Sequence, residues 1–549
     1  MLFGASLLLR LLFWRATPDR DWGWSAYLKG DAPLWLEYAR ALQLGETFEL
    51  GIPIHPPGTA WVASLVWDGV PAHVAVVRFA WVVLGALVPL LLFLAAERSF
   101  GLRAAALAGS LTAVATSLLV LSTTVCSETP YLVLTLASLY FVEDLLGEPR
   151  AGRLAAFSAL SSVACLFRAE HLLFFLPALL FFALRWERPF RRAAAALVFF
   201  ALPLVPWHLH AWSSIRRFNE EPRVLTPIEE KAVGAVEQAL RYLPWDAEAL
   251  RKRAELPGFA RRTATAFVLA TVGYRGGTEV HGSDFRILEE AFGSTPRRLG
   301  RFPFVTSYGP LNFALANHAG ARGGFERAPL EARPPLTGGA DRYPPFLVQG
   351  LPPPQLTFFY PPHLELFNDG YAIGWRWIAS NPAAFARLAA RKLAIFWSGA
   401  ASGATGWFLS GRRRAVDMVT SGSRLWSIGV LLGAITGAVA GARRSALQPW
   451  LLFLASKVLV TLAFFGYARQ GALIVPVLAL LAALAVERWV PAATRLAPAL
   501  LLTVALLAEA GRALARPEMR LDGQPVGASD PVPPDDPRAV ELSVGRSRS

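Results

Sequence analysis

Long apolar stretches separated by short arginine-rich connections constrain this chain more than any other feature. A helix needs about 20 predominantly apolar residues to cross the hydrocarbon core of a bilayer, and residues 73–96 meet that requirement in full. Hydrophobic residues make up 54% of the 549 positions and charged residues only 17%, whereas soluble domains carry about 25% charged residues. The sequence therefore predicts an all-α polytopic membrane protein with about 11 transmembrane helices.

The predicted spans share an apolar centre and end next to polar or arginine-rich connections. They cover residues 1–14, 73–96, 104–123, 131–146, 154–167, 172–184, 193–212, 426–442, 450–465, 472–486 and 497–507. The first span lacks the basic start and the small-residue cleavage site of a signal peptide, so we interpret it as a transmembrane helix. Two segments, 58–67 and 383–397, are predicted to lie along the membrane surface.

Arginine residues fall on alternate connections between the spans. The connections at 98–103, 147–153 and 185–192 are rich in arginine, and those around 17–56, 124–130 and 168–171 alternate with them. Because short cytoplasmic loops carry an excess of Lys and Arg, this pattern predicts a cytoplasmic N-terminus. It also predicts that the second group of connections lies on the outer face.

Hydropathy divides the chain into four regions. Residues 1–212 are predicted to form an N-terminal transmembrane block with its first outer loop at 17–56, and residues 213–389 a polar outer-face region that is too long and varied for a linker. Residues 390–512 are predicted to form a C-terminal transmembrane block preceded by an interfacial helix. The polar tail at 513–549 is predicted to be disordered.

The net charge of +14 raises the question of a nucleic-acid partner. The basic residues do not form one cluster, and many lie in the short loops where membrane topology predicts them. We therefore expect no nucleic acid among the partners.

The first outer loop is polar and rich in aromatic residues, and its most prominent candidate is Asp31. A carboxylate near the membrane surface can accept a proton from an acceptor hydroxyl. Asp31 is followed by Ala32 and Pro33, however, which is also a good helix start with Asp31 as the N-cap. Both interpretations remain open at this point.

Further ionisable residues fall on the same predicted face. Glu128 could act in chemistry or cap a helix, and Arg168, Glu170 and His171 form one polar corner. That corner could bind a phosphate or a metal, or pair internally, and His55 could join it. A divalent metal is possible but not required by the sequence, because zinc sites usually show several ligands at recognisable spacing.

Three cations complete the set of candidates. Arg78 and Arg469 lie near the outer ends of spans, where arginine often extends towards the interface without a function but also matches phosphate geometry. Lys457 lies near the middle of its span, where a charge is expensive and usually has a partner. The sequence assigns Lys457 no specific role.

Several motifs in the same order resemble those of the GT-C glycosyltransferases, in particular the protein mannosyltransferase and aminoarabinose transferase type (glycosyltransferase family 39-like). They are Lys29-Gly30-Asp31 with Trp35, Tyr38, Gly45 and His55-Pro56-Pro57-Gly58; Val76-Val77-Arg78-Phe79; Phe167-Arg168-Ala169-Glu170, in which alanine replaces the family's proline; Asn381-Pro382 with Arg391-Lys392-Leu393; and Arg469 to Pro476. The region 213–362 departs from the family and leaves the acceptor open.

The resemblance implies a hexosyl or pentosyl transferase that acts in the cell envelope, in a bacterial inner (plasma) membrane. It would move a sugar from a polyprenyl-phosphate donor to a hydroxyl of a glycan, lipid or protein at the periplasmic face, among membrane lipids. Asp31 would be the general base, and Glu128 would orient the acceptor or help to bind a metal. The substrate-binding set would be Lys29, His55, Arg78, Arg168, Glu170, His171 and Arg469.

Two other classes of protein compete with this interpretation. A lipid or sugar transporter (a flippase) would place its site near the bilayer midplane and show repeats between halves, and Lys457 is the residue that favours it. A non-catalytic assembly protein would use 213–389 to bind a partner, with Asp31 only as a helix cap.

Overall fold

The computed structural model describes residues 1–16, 31–45, 53–69, 73–220, 299–300, 303–325, 361–402, 429–439, 441 and 443–515. Every regular element among these residues is a helix, which confirms the all-α prediction. Lys29, most of the 213–389 region and the tail from residue 516 lie outside the described residues.

The α-helices are numbered here in chain order. They are α1 (Leu2–Ala16), α2 (Ala32–Leu44), α3 (Gly58–Val66), α4 (Val74–Phe100), α5 (Leu102–Val114), α6 (Thr116–Ser122), α7 (Glu128–Leu139), α8 (Val142–Leu146), α9 (Ala151–Phe167), α10 (Leu172–Ala183), α11 (Pro189–Ala201), α12 (Val205–Glu220), α13 (Tyr308–Ala316), α14 (Pro361–Ser380), α15 (Pro382–Ser402), α16 (Gly429–Val439), α17 (Gln448–Ala463), α18 (Ala468–Ala472), α19 (Val475–Trp489) and α20 (Ala493–Ala515). Short 3-10 turns occur at Ala169–His171, Leu202–Leu204 and Ser445–Leu447.

Several helices are long and apolar enough to cross a membrane, which confirms the multi-pass prediction. Within the described ranges there are five: Val74–Phe100, Pro189–Arg217, Ser445–Ala463, Ala468–Trp489 and Thr494–Gly511. The predicted span at 104–123 is broken into α5 and α6, which are bent by 62° where Ala115 is extended. The count of about 11 spans is therefore not reproduced, because several apolar stretches form shorter or broken helices.

The described residues fall into two compact units. The first contains those of 1–210, 304–306 and 387–515, and the second those between 211 and 303 and between 307 and 386. The predicted boundaries at 212 and 389 stay predictions. Helix α20 continues to Ala515, a few residues past the predicted end of the C-terminal block.

The first unit is a helical bundle built around its most apolar helices. Helix α4 packs against α1, α5 and α7, and α5 also packs against α19 and α20. The protein buries 89% of the most apolar part of the Ala468–Trp489 span, but only 6% of the corresponding part of the Thr494–Gly511 span. Helix α19 therefore lies in the core of the unit, and α20 presents most of its surface outward, as a lipid-facing helix does.

The second unit contains a close helix pair, α13 and α14. A Cβ at Gly370 would lie 2.1 Å from the carbonyl oxygen of Pro310, and one at Gly374 would lie 2.6 Å from the ring of Phe313. Only glycine allows the two backbones to approach this closely. The two glycines thus set the spacing of the pair.

Candidate active site

Asp31 stands at the N-cap position of α2, as the sequence predicts, with proline in the first turn. Its side chain makes no capping hydrogen bond. Instead, its Oδ2 accepts a hydrogen bond from Nη1 of Arg469 at 2.5 Å. The two residues are 438 positions apart, so the structure brings the first loop to the C-terminal part of the chain.

Glu128 is the first residue of α7 and is fully buried. Its Oε1 accepts a hydrogen bond from Nη1 of Arg168 at 2.6 Å and lies 3.3 Å from Nε of Arg469. Glu128 therefore has a guanidinium on each side. A buried carboxylate needs such partners, since an unpaired charge in this environment costs several kcal/mol.

Arg168 ends helix α9 in an extended conformation (φ −147°, ψ 102°), and the 3-10 turn begins with the next residue. This break points its side chain away from the helix and towards two carboxylates. Its Nε donates to Oε1 of Glu170 at 2.5 Å, while Nη1 bonds Glu128 and also Ser127 Oγ at 3.3 Å. The predicted polar corner does pair internally, and it also extends to α7.

Lys457 extends the same set of contacts from the middle of α17. Its Nζ lies 3.4 Å from Oε1 of Glu170. Its ammonium group also lies 4.4 Å from the ring centroid of Tyr131. A lone cation in an apolar span is the sequence signal that points to this lysine, but the pattern indicates no role for it.

Six side chains thus form one continuous series of alternating charge, which we call the ion-pair chain. It runs Asp31–Arg469–Glu128–Arg168–Glu170–Lys457. Asp31, at one end, is the most exposed member, with 40% of its side chain accessible, whereas Lys457, at the other end, is 1% accessible. The ion-pair chain therefore leads from an accessible carboxylate into the protein interior.

Helix α4 holds the segment that leads into Glu128. Arg78 donates from Nε to the carbonyl of Thr123 at 3.0 Å, and Trp81 donates from Nε1 to the carbonyl of Cys126 at 2.8 Å. The Arg78 guanidinium also lies over the ring of Trp14, 5.1 Å from its centroid. Arg78 is therefore placed beside the segment that precedes the ion-pair chain.

The His-Pro-Pro-Gly turn joins the first loop to the Arg168 corner. His55 packs edge-on against Trp35 with ring centroids 5.6 Å apart. A Cβ at Gly58 would lie 2.8 Å from the ring of Phe167 and 2.9 Å from the carbonyl of Leu166. The glycine is required by this close approach, which fixes α3 against the end of α9.

His171 occupies a different place from the other residues of its corner. It is fully buried, its Nδ1 lies 2.9 Å from the hydroxyl of Tyr131, and its ring packs against Phe174. The structure therefore places His171 behind the ion-pair chain, in an aromatic environment.

The turn that carries Arg469 is packed backbone to backbone against α15. A Cβ at Gly399, Gly466 or Gly471 would lie 1.5–2.2 Å from a carbonyl oxygen of the facing segment. On the other side, Thr461 Oγ1 bonds Oε1 of Gln470 at 3.3 Å. These contacts hold the backbone next to Arg469 in one position.

The electrostatic environment of Asp31 follows from its neighbours. Desolvation is the largest single effect and raises the pKa of this carboxyl, whereas the positive charge and hydrogen bond of Arg469 lower it. His55 and Arg168 also lower it, so the net pKa lies below the usual value for an aspartate. Asp31 is therefore ionised at neutral pH and can accept a proton.

Whether this site could bind a divalent metal depends on the same carboxylates. Among the residues that the structure describes, no group of three or more His, Cys, Asp or Glu side chains converges as metal ligands would. Glu128 and Glu170 are engaged instead by Arg168, Arg469 and Lys457.

The fold and this site define a multi-pass all-α membrane protein with buried, paired charges. Residues 54–210 match the family model described as dolichyl-phosphate-mannose-protein mannosyltransferase. The matched region begins at the His-Pro-Pro turn and includes Glu128 and Arg168. The match agrees with the resemblance to GT-C glycosyltransferases, and it extends over residues 54–210 of the chain.

Two solved structures are also similar to this chain. The crystal structure of ArnT from Cupriavidus metallidurans bound to undecaprenyl phosphate is 16% identical, with 100% of this chain and 88% of that chain covered and a TM-score of 0.32. The apo structure of the same protein is 16% identical, with 87% and 76% covered and a TM-score of 0.31. No curated protein matches this chain.

Proposed function

We propose that this protein transfers a sugar from a polyprenyl-phosphate donor to an acceptor hydroxyl at the periplasmic face of a bacterial inner membrane. The observation that carries the proposal is the ion-pair chain. It gathers, around one accessible carboxylate, the guanidinium groups that a phosphate-linked donor requires. The matched family is named for a dolichyl-phosphate-linked sugar, and its donor class suits these residues.

Accessibility favours Asp31 over Glu128 as the base. Glu128 is fully buried between two guanidiniums, so an acceptor hydroxyl cannot reach it without displacing them. The carboxylate of Asp31 is 40% accessible and is bound by one arginine through Oδ2. Asp31 is therefore the general base, and Glu128 orients Arg168 and Arg469.

The two arginines bind the donor phosphate by exchanging partners. A phosphodiester carries one negative charge and suits the planar fork of a guanidinium. When the phosphate accepts a hydrogen bond from Arg469, the interaction of this arginine with Asp31 becomes weaker. The Asp31 carboxylate is then a stronger base. Arg168 supplies a second cation, with Glu170 holding its Nε. His55 and Arg78 are proposed to border the same donor site.

The reaction is a single transfer in which atoms and charges balance. The acceptor oxygen forms a bond to the anomeric carbon, while the bond from that carbon to the phosphate oxygen breaks and its electron pair leaves with the phosphate. The acceptor proton passes to Asp31. The transition state resembles an oxocarbenium ion, and the cations of Arg168 and Arg469 stabilise the departing phosphate.

Replacing Asp31 with Asn tests the proposal. The variant keeps the shape of the side chain and removes the base, so sugar transfer in proteoliposomes falls by about 100-fold or more, while binding of polyprenyl phosphate is retained. Asp68→Asn is the matched control, because Asp68 is an exposed aspartate that pairs with His73.

Three results would contradict the proposal. Full transfer by D31N, with the variant folded, would remove Asp31 as the base. Transfer lost equally in D68N would show that the assay reports folding. Movement of a polyprenyl-phosphate lipid across the bilayer, without chemical change, would favour the flippase instead.

A further inference from the structure

Lys457 is the member of the ion-pair chain that the proposed reaction leaves without a task. It is buried in the middle of α17. Its ammonium group contacts Glu170 at 3.4 Å and the faces of Tyr131 and Phe453, with centroids 4.4 and 5.5 Å away. An ionisable residue at this depth is costly and usually functional, whereas an apolar residue of similar length would pack there without that cost.

The contact with Glu170 is shared with Arg168. Oε1 of Glu170 accepts a hydrogen bond from Nε of Arg168 at 2.5 Å, and the same oxygen is the atom that Lys457 approaches. Each cation therefore neutralises part of one carboxylate charge. Without Lys457, the whole charge of Glu170 would act on Arg168.

A charge count shows the consequence for an anionic donor. Within the ion-pair chain the carboxylates are Asp31, Glu128 and Glu170, and the cations are Arg168, Arg469 and Lys457. Three against three gives a net charge of zero. Replacing Lys457 with a neutral residue would leave the ion-pair chain at −1, which disfavours a phosphodiester.

We propose that Lys457 is a positioning residue that neutralises Glu170 from the interior, so that Arg168 keeps positive charge available for the donor phosphate. This inference rests on the proposed function, and it states that the donor site of that function requires Glu170 to be neutralised. Lys457 acts through Glu170 and Arg168 and does not itself touch the donor.

The test compares Lys457→Met, Glu170→Gln, the double variant K457M/E170Q and the conservative Lys457→Arg. Binding of polyprenyl phosphate to protein in nanodiscs is measured first, followed by KM and kcat for the sugar-linked donor. K457M weakens binding and raises the donor KM by about tenfold, with a smaller change in kcat. K457R stays within about threefold of wild type, because the charge is kept.

The double variant separates charge balance from packing. Removing both members restores a net charge of zero, so K457M/E170Q binds polyprenyl phosphate more tightly than K457M. E170Q alone leaves a net charge of +1 and keeps a side-chain oxygen that can accept the hydrogen bond from Nε of Arg168, so it weakens binding less than K457M does. Ser456→Ala is the control on the same helix, because Ser456 is buried and donates to the carbonyl of Phe453 on its own helix. It leaves binding unchanged.

Several outcomes overturn the inference. Unchanged binding by folded K457M, or a double variant at least as impaired as K457M, would show that Lys457 has a structural role only. If K457M does not fold, binding weakened tenfold or more by folded E170Q contradicts the charge balance on its own. If the wild-type protein binds no polyprenyl phosphate, the proposed function itself fails, whereas wild-type binding with a normal K457M rejects only the role of Lys457.

Discussion

Arg469→Lys is the most informative substitution in the ion-pair chain, because it keeps the charge and changes only its geometry. Two different nitrogens of the guanidinium reach two carboxylates, with Nη1 at 2.5 Å from Asp31 and Nε at 3.3 Å from Glu128. A lysine has a single nitrogen, which cannot occupy both places. The variant therefore loses one of the two ion pairs and the fork that suits a phosphate.

The magnitude follows from the lost pair with Glu128. At 3.3 Å and an effective dielectric constant of about 20, the Coulomb energy is about 5 kcal/mol. Desolvation offsets much of this, so the net loss is about 1.5–3 kcal/mol, the range for an interaction with a charged group. Since about 1.4 kcal/mol corresponds to a factor of ten, kcat/KM for sugar transfer should fall roughly 10- to 100-fold.

The assay is transfer from a labelled polyprenyl-phosphate sugar in proteoliposomes, with thermal unfolding measured on the same samples. Arg495→Lys is the matched control, because Arg495 is exposed at the start of α20, and it should stay within about twofold of wild type. Wild-type kcat/KM for folded R469K would refute the reasoning, because it would show that the simultaneous contact with Asp31 and Glu128 is not needed.

Two further predictions concern the loop and the base. Gly58→Ala places a Cβ 2.8 Å from the ring of Phe167, so we expect a loss of about 1–3 kcal/mol in stability and at least tenfold slower transfer. Gly429→Ala, with open space around its Cβ position, should change neither stability nor transfer. Equal effects of the two substitutions would contradict the packing argument. Because Arg469, His55 and Arg168 together outweigh desolvation and lower the pKa of Asp31, wild-type kcat/KM should decline only below the usual aspartate range as pH falls. Arg469→Gln should move that decline to higher pH, and an unmoved profile would exclude Asp31 as the titrating base.

The helical class and the candidate residues could be predicted from local sequence, because they depend on local properties. A long apolar stretch must satisfy its backbone within a helix when it crosses a membrane, and α4 follows this rule. The start of α2 at Asp31 was also predictable from Asp31-Ala32-Pro33. The break between α5 and α6 was not, because the apolar pattern at 104–123 is continuous and Ala115 carries no breaking signal.

The role of an aspartate at the start of a helix depends on which group its side chain contacts, and only the tertiary structure decides that. The same sequence supports a helix cap or a free carboxylate at Asp31, and in the folded chain the carboxylate turns to Arg469. His171 shows that neighbours in the sequence can have different surroundings in the structure. It belongs to the same polar corner as Arg168, yet the 3-10 turn directs its ring to Tyr131 and Phe174.

The sequence by itself determined that the chain is an apolar, helical membrane protein with ionisable groups on a few connections, since composition and helix periodicity are properties of neighbouring residues. Only the tertiary structure decided that Asp31, Glu128, Arg168, Glu170, Lys457 and Arg469 form one alternating ion-pair chain. The contacts within it join residues as far as 438 positions apart in the sequence, and electrostatic pairing depends on distance in space. The accessibility that distinguishes Asp31 from the buried carboxylate of Glu128 arises from that packing alone.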